Sequence, residues 1–261
     1  MYSLSYPTAE HECAARAIVD AFAGLDQVEA VLLVGSCARG KGTADSCLDI
    51  TVLISPGLPP EVRAGLELHW RDLSQGEVFE RLRGVGKYSH VDLGFCDGRF
   101  LPHDRGWTDW PDEFEVEIGN TLVYSVPLWD RGQYLTHLNE RWLPYYGDGV
   151  RRTRLGQTLV YCRNNLEHVP LYVERGLYFQ AFYRLVHAFQ EFMQALFISR
   201  RTYPIAYDKW IREQVVETLA EPGLYSELVG LFQIEHFESA QLADKAKCLE
   251  ERLVQYIERV P

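Results

Sequence analysis

The stretch Val31-Leu32-Leu33-Val34-Gly35-Ser36-Cys37-Ala38-Arg39-Gly40 runs through Lys41-Gly42-Thr43-Ala44-Asp45-Ser46 into Cys47-Leu48-Asp49-Ile50-Thr51-Val52. Its first four residues are apolar and β-prone, as in a buried strand. The run stops at Gly35, the residue that lets a backbone turn sharply or approach a ligand closely. Ser36 adds a hydroxyl. The amides of a turn opening a helix suit an oligophosphate. A polar, Gly-rich spacer follows. Leu48–Ile54 then reads as a second strand, and it carries one carboxylate, Asp49.

Further on, Tyr88-Ser89-His90-Val91-Asp92-Leu93-Gly94-Phe95 reads as a third strand with a second carboxylate, Asp92. Carboxylates on neighbouring strands beside a phosphate cradle have the chemistry to hold Mg²⁺, or Mn²⁺, against a nucleoside triphosphate. A nucleoside triphosphate is therefore the expected substrate. Gly35 and Ser36 are its expected holders, and Asp49 and Asp92 the expected metal ligands.

The rest of the N-terminal part reads as an α+β domain on a small mixed sheet. Thr8–Phe22 has Ala14, Ala15, Ile18, Val19 and Phe22 on one helical face. Val28–Val34 is the first strand. Pro60–Leu82 reads as mostly helical, with Pro60 at a tolerated first position. Asp97-Gly98 marks a turn. Phe114–Ile118 and Thr121–Val126 read as a hairpin around Gly119-Asn120, and a helix is expected from Trp129. The C-terminal part reads as a four-helix bundle. Its expected helices are Arg151–Val169 (ended by Pro170), Leu177–Ser199, Tyr207–Leu219 and Glu238–Val260. Gly147-Asp148-Gly149 is a turn signal. The expected division is 1–145 for the α+β domain and 146–261 for the helical domain.

Composition narrows the function. The 261 residues are 47% hydrophobic and 24% charged, the ordinary globular mix. Lys+Arg number 26 against 37 Asp+Glu, a net charge of −11, and nearly all of that excess lies before Thr136. Such a balance argues against bulk nucleic acid as a partner. The beginning of the chain has neither the basic nor the apolar region of a secretory signal. Apolar runs such as Val31–Val34 fall far short of a membrane span. Six cysteines are scattered without C-x-x-C or zinc-finger spacing. A cytoplasmic protein with free thiols and no membrane contact is expected.

Gly35-Ser36-Cys37-Ala38-Arg39-Gly40 followed by Ser46-Cys47-Leu48-Asp49-Ile50 resembles the signature of the polymerase-β-type nucleotidyltransferase superfamily, G-S-x-A-R-G then S-D-x-D, with a third carboxylate on a later strand. The helical part is similar to the second domain of antibiotic (aminoglycoside or lincosamide) nucleotidyltransferases, around Gln194-Ala195-Leu196-Phe197-Ile198 and Arg201-Thr202-Tyr203-Pro204 through Lys209-Trp210. The resemblance implies transfer of AMP from ATP, or of another nucleoside monophosphate from its triphosphate, to a hydroxyl of a small molecule or protein. It adds Arg39 and Ser46 to the nucleotide site. It implies a general base for the acceptor among Glu113, Glu115 and Glu117, with Glu115 the candidate. The same alternation also describes a solvated strand face. Lys209 is a candidate phosphate contact from the second domain, or simply an exposed helix lysine. The acceptor is expected in the cleft between domains.

One position departs from the signature. The family's first metal-binding aspartate falls at Cys47. Residues two apart on a strand share a face, so Cys47 should stand beside Asp49 where a carboxylate is wanted. Mg²⁺ prefers oxygen ligands. Asp45 is the candidate third ligand if its loop turns inward, and His90 shares the face of Asp92. A set of Cys47, Asp49, His90 and Asp92 suits a softer metal. The alternative is a nucleotide-binding or regulatory module with an impaired metal site. A third reading rests on Arg163-Asn164-Asn165-Leu166-Glu167-His168, which fits the R-N-x-x-x-H motif of HEPN-type ribonuclease domains.

Overall fold

The computed structural model describes residues 6–258. The chain forms two compact units. The first runs to Leu101 and resumes over Glu117–Pro144. The second takes Pro102–Val116 and everything from Tyr145 onward. The segment 102–116 thus belongs with the helices that follow it by some thirty residues. No described helix is long and apolar enough to cross a membrane.

The first unit is built on a four-stranded mixed sheet in the order β3-β2-β1-β4. Its strands are β1 (Val28–Leu33), β2 (Leu48–Ile54), β3 (Val91–Cys96) and β4 (Val126–Asp130). β1 lies antiparallel to both β2 and β4, whereas β2 and β3 run parallel. Leu48, Ile50 and Val52 point into the core, and Asp49 and Thr51 point away from it. That alternation is the period-2 pattern of the sequence made visible. Helix α1 (Ala9–Phe22) lays Ala14, Ala15, Ile18 and Phe22 into the same core. Burying a side chain such as Ile18 or Phe22 stabilises the unit by about 1.5–3 kcal/mol each. The expected long helix from Pro60 is two helices, α3 (Pro60–Leu73) and α4 (Glu77–Arg83), parted at Ser74-Gln75-Gly76.

Two expectations in this region fail. Phe114–Ile118 is a short helix and not half of a hairpin, and a π-helical turn over Gly119–Val123 continues it. The alternation of Phe114, Val116 and Ile118 mimics a strand. In the fold Phe114, Glu115 and Val116 are all buried, which an alternating strand cannot achieve in three consecutive residues facing one side. Trp129 begins no helix; it lies in β4, the outer strand beside β1. The helix starts later, at α6 (Tyr134–Trp142), after Gly132 at φ +105.

The second unit is helical around its own core. With α2 (Gly35–Ala38) and α5 (Phe114–Ile118) counted in chain order, its helices are α7 (Asp148–Glu174), α8 (Tyr178–Ser199), α9 (Pro222–Leu231) and α10 (Gln241–Leu253). Pro170 does not end the first of these; it sits inside α7. Proline in a helix interior costs about 3 kcal/mol. Val169, Tyr172 and Val173 around it pack with α8 residues in one core, and that burial outweighs the loss. The expected helix from Tyr207 is reduced to a π-helical segment, Glu213–Thr218. Gln214 supplies the reason. Its side-chain amide accepts from Ile205 N at 2.7 Å and donates to the carbonyls of Ala206 at 2.8 Å and Lys209 at 2.9 Å, which fixes 205–210 as a loop. α9 has no counterpart among the expected helices.

Candidate functional site

β1 ends at Leu33, and Val34 remains extended before Gly35 turns at φ +66. Glycine holds that conformation without steric cost. A Cβ on Gly35 would stand 2.0 Å from Asp49 Oδ2, so the turn is closed to any larger residue twice over. Lys41 N donates to Ser36 O at 2.9 Å, and Arg39 Nη1 donates to Gly35 O at 3.0 Å. Arg39 is buried; it braces the turn from behind.

β2 and β3 pair in parallel with Asp49 directly across from Asp92. Neighbours in register share a face, so both carboxylates rise from one face of the sheet, and Asp49 stands against Gly35. Cys47 lies two residues before Asp49, and its Sγ donates to Asp49 Oδ1 at 3.2 Å. Burial, and then the Asp49 carboxylate, push that thiol's pKa up to about 12. It is a neutral hydrogen-bond donor at neutral pH. Burial likewise raises Cys37 to about 11; its thiol donates to Cys47 O at 3.4 Å. His90 Nε2 lies 3.2 Å from Asp92 Oδ1.

The ligand atoms of Cys47, Asp49 and Asp92 all lie within 4.8 Å of one another. Two hard divalent ions on one phosphate chain need several anionic oxygens. This set offers two carboxylates and a thiol. It fits one ion and not a pair.

The remaining sequence candidates fall elsewhere. Asp45 Oδ1 accepts from Lys87 N at 3.1 Å, and a Cβ on Gly86 would meet it at 2.2 Å. Asp45 therefore pins the loop before β3, and it is not among the converging ligand atoms. Ser46 Oγ accepts from Thr43 N at 2.9 Å and so closes the spacer loop. Its carbonyl lies 3.0 Å from Nε2 of His11, a fully buried side chain of α1 that the sequence did not single out. A polar residue on the apolar face of α1 was the available signal. Lys209 is exposed in the second unit.

Glu115 is not on a strand with Glu113 and Glu117, and it is fully buried in the second unit. Arg154 Nη2 donates to its Oε2 at 2.6 Å, Tyr146 Oη to its Oε1 at 2.6 Å, and Gln194 Nε2 and Tyr207 Oη to its Oε2 at 3.2 Å each. Asp112 shares Arg154, with bonds of 2.6 and 3.0 Å. Burial alone would raise the Asp112 carboxyl, but Arg154 outweighs it and holds the pKa below the usual range. Nearby, Arg105 pairs with the buried Glu191 and stacks on Tyr161. Glu191 itself is raised by burial, which its Arg105 bond only partly offsets. A polar cavity of about 390 Å³ opens against Arg105, Asp112, Arg154, Thr158 and Gln194. The signal in the sequence was a set of polar residues (Arg154, Thr158, Asn165) on the buried stripe of α7.

In the R-N-x-x-x-H stretch, Arg163 and His168 bond to different partners. Arg163 Nε pairs with Glu250 at 3.4 Å. His168 Nδ1 bonds the Asn164 carbonyl at 2.7 Å, one turn back on its own helix. Asn165, at a variable position of that pattern, accepts from Arg184 through Oδ1 at 2.7 Å.

No protein-family model matches the chain, and no curated protein does. Among solved structures, a crystal structure of a nucleotidyltransferase-like protein from Exiguobacterium sibiricum 255-15 aligns with 93% of this chain and 76% of its own. The identity is 13% and the TM-score 0.43. A likeness at that level carries no weight for function, which rests on the residues themselves.

Proposed function

We propose that the chain is a nucleotide-binding protein of the nucleotidyltransferase kind. Its first unit would take the triphosphate of ATP, or of another nucleoside triphosphate, beside Gly35 and Ser36, with a divalent cation on Asp49 and Asp92. The observation that carries this is the register of Asp49 across from Asp92, with Gly35 packed against the Asp49 carboxylate. Gly35 keeps side-chain bulk out. The Ser36 hydroxyl offers a donor to phosphate. Arg39 and Ser46 act at one remove, by holding the turn and the spacer loop. A bound Mg²⁺ or Mn²⁺ would neutralise phosphate charge. If an acceptor hydroxyl is present, its oxygen would attack the α-phosphorus, its proton would pass to solvent, and pyrophosphate would leave.

Cys47 favours a second reading, a nucleotide-binding module that transfers slowly or not at all. One-ion charge compensation is less than two-metal phosphoryl transfer demands. Calorimetry with ATP and either Mg²⁺ or Mn²⁺ tests binding itself. Wild type should bind, Ser36→Ala should bind more weakly, and Gly35→Val should not bind. A wild-type protein that ignores every nucleoside triphosphate would remove the basis for both readings.

A further inference from the structure

We infer that the cation of this site is a thiophilic one, a single Zn²⁺-like ion held by Cys47 Sγ with one oxygen each from Asp49 and Asp92, in preference to Mg²⁺. This deepens the nucleotide reading and rests on it only for the ion's task toward phosphate.

Three observations carry it. The three donor atoms already converge within 4.8 Å. Tetrahedral zinc, with bonds of about 2.0–2.3 Å, sets its ligand atoms about 3.5 Å apart, and Cys47 Sγ stands 3.2 Å from Asp49 Oδ1. Asp92 is the exposed member, so rotation of its side chain closes the remaining gap. The third observation is the His90 contact, 3.2 Å from Asp92 Oδ1. An imidazole beside a ligating carboxylate orients it and tunes its basicity.

The chemistry of the donors selects the ion. A thiolate with two carboxylate oxygens suits Zn²⁺ or Co²⁺, while Mg²⁺ requires an octahedron of oxygens. Loading displaces the Cys47 proton to solvent and forms a metal–sulfur bond. Three protein ligands leave the fourth position open, as in zinc sites that bind a substrate oxygen. In the proposed nucleotide site that oxygen would come from phosphate.

The test loads chelator-stripped full-length protein with Zn²⁺ or Co²⁺ in the absence of nucleotide. Metal content, competition affinity and the Co²⁺ absorption spectrum are read. Wild type should take one equivalent of Zn²⁺, and the Co²⁺ form should show a thiolate-to-metal charge-transfer band. Cys47→Ser should lose that band and bind Zn²⁺ at least about tenfold more weakly, and His90→Ala should weaken binding while keeping the band. Cys47→Asp should shift the preference toward Mg²⁺. Less than one equivalent of Zn²⁺ at micromolar concentration, a Co²⁺ spectrum without the band, or Cys47→Ser binding as tightly as wild type would each overturn the inference. Calorimetry with ATP on the same preparations keeps the two readings separate. Retained ATP binding without zinc loading defeats only the metal assignment, and zinc loading without ATP binding defeats only the nucleotide site.

Discussion

Arg154 and Glu115 form a buried, two-pronged ion pair across 39 residues of chain, with Nη2 on Oε2 at 2.6 Å and Nε on Oε1. Asp112 takes the rest of the guanidinium. One Arg between two carboxylates ties the segment 102–116 to α7. Its neighbours Tyr146, Tyr207 and Gln194 spend their polar atoms on the same carboxylate. A carboxylate so fully engaged is a structural anchor, with no lone pair left for an acceptor hydroxyl.

That arrangement fixes what substitution should do. Arg154→Leu strands two buried carboxylates, and breaking a buried pair from one side costs about 3–5 kcal/mol. Glu115→Gln leaves Arg154 with Asp112 and should cost about 1–3 kcal/mol. Urea unfolding, with hydrogen exchange on α7 and α8 peptides, gives both values. ATP binding, measured below the unfolding transition, should survive in Glu115→Gln. If that variant kept full stability yet lost nucleotidyl transfer, Glu115 would be restored as the general base.

The Gly35 turn makes a sharper prediction. Gly35→Ala imposes a left-handed backbone on a residue with a Cβ, worth about 1–2 kcal/mol, and drives that Cβ into Asp49 Oδ2. Asp49→Ala removes the second cost and not the first. In a double-mutant cycle, Gly35→Ala should therefore cost less in the Asp49→Ala background than in wild type, by about 1 kcal/mol or more. Equal costs in the two backgrounds would mean that the carboxylate yields freely and does not enforce glycine.

The contrast between the two halves of the chain shows what a sequence discloses. β2 has its expected bounds because Leu48, Ile50 and Val52 alternate with polar residues on a strand with one buried face. The placement of Cys47 beside Asp49 followed from the same period. The segment 112–118 misled for a complementary reason. Its alternating glutamates match strand periodicity, but Arg154, far along the chain, provides the burial that makes it helical. Asp45 was illegible because a loop's direction depends on its partner, here the Lys87 amide. Pro170 misled because local propensity says nothing of the core around α7.

Cys47 should also limit catalysis. With Mg²⁺ and a hydroxyl acceptor, wild-type transfer is expected to be weak or absent, since one carboxylate on each strand compensates too little phosphate charge. Cys47→Asp should raise the rate, and Asp49→Asn should abolish it in both backgrounds. Release of pyrophosphate and label transfer from ATP labelled at the α-phosphate measure this directly. Brisk wild-type turnover with Mg²⁺ would show that two carboxylates suffice here.

His187 gives the second unit a pH dependence of defined sign. Its ring stacks on Trp110 with centroids 3.7 Å apart and planes 11° from parallel. Its Nδ1 is buried and has no hydrogen-bond partner among the described residues. Burial first, and then the nearby Arg184 charge, lower its pKa below the ordinary 6.5, against a smaller upward pull from the Asp109 backbone. The unfolded chain therefore takes up the proton at a higher pH than the folded one. The stabilisation is complete above about pH 6.5 and is lost as pH falls through the folded-state value. Urea unfolding between pH 7.5 and 5 should show wild type losing stability more steeply than His187→Gln, with the difference between them shrinking on acidification. Hydrogen exchange on α8 peptides assigns that slope to the second unit. Parallel slopes for the two proteins would mean that the imidazole reaches solvent and titrates alike in both states.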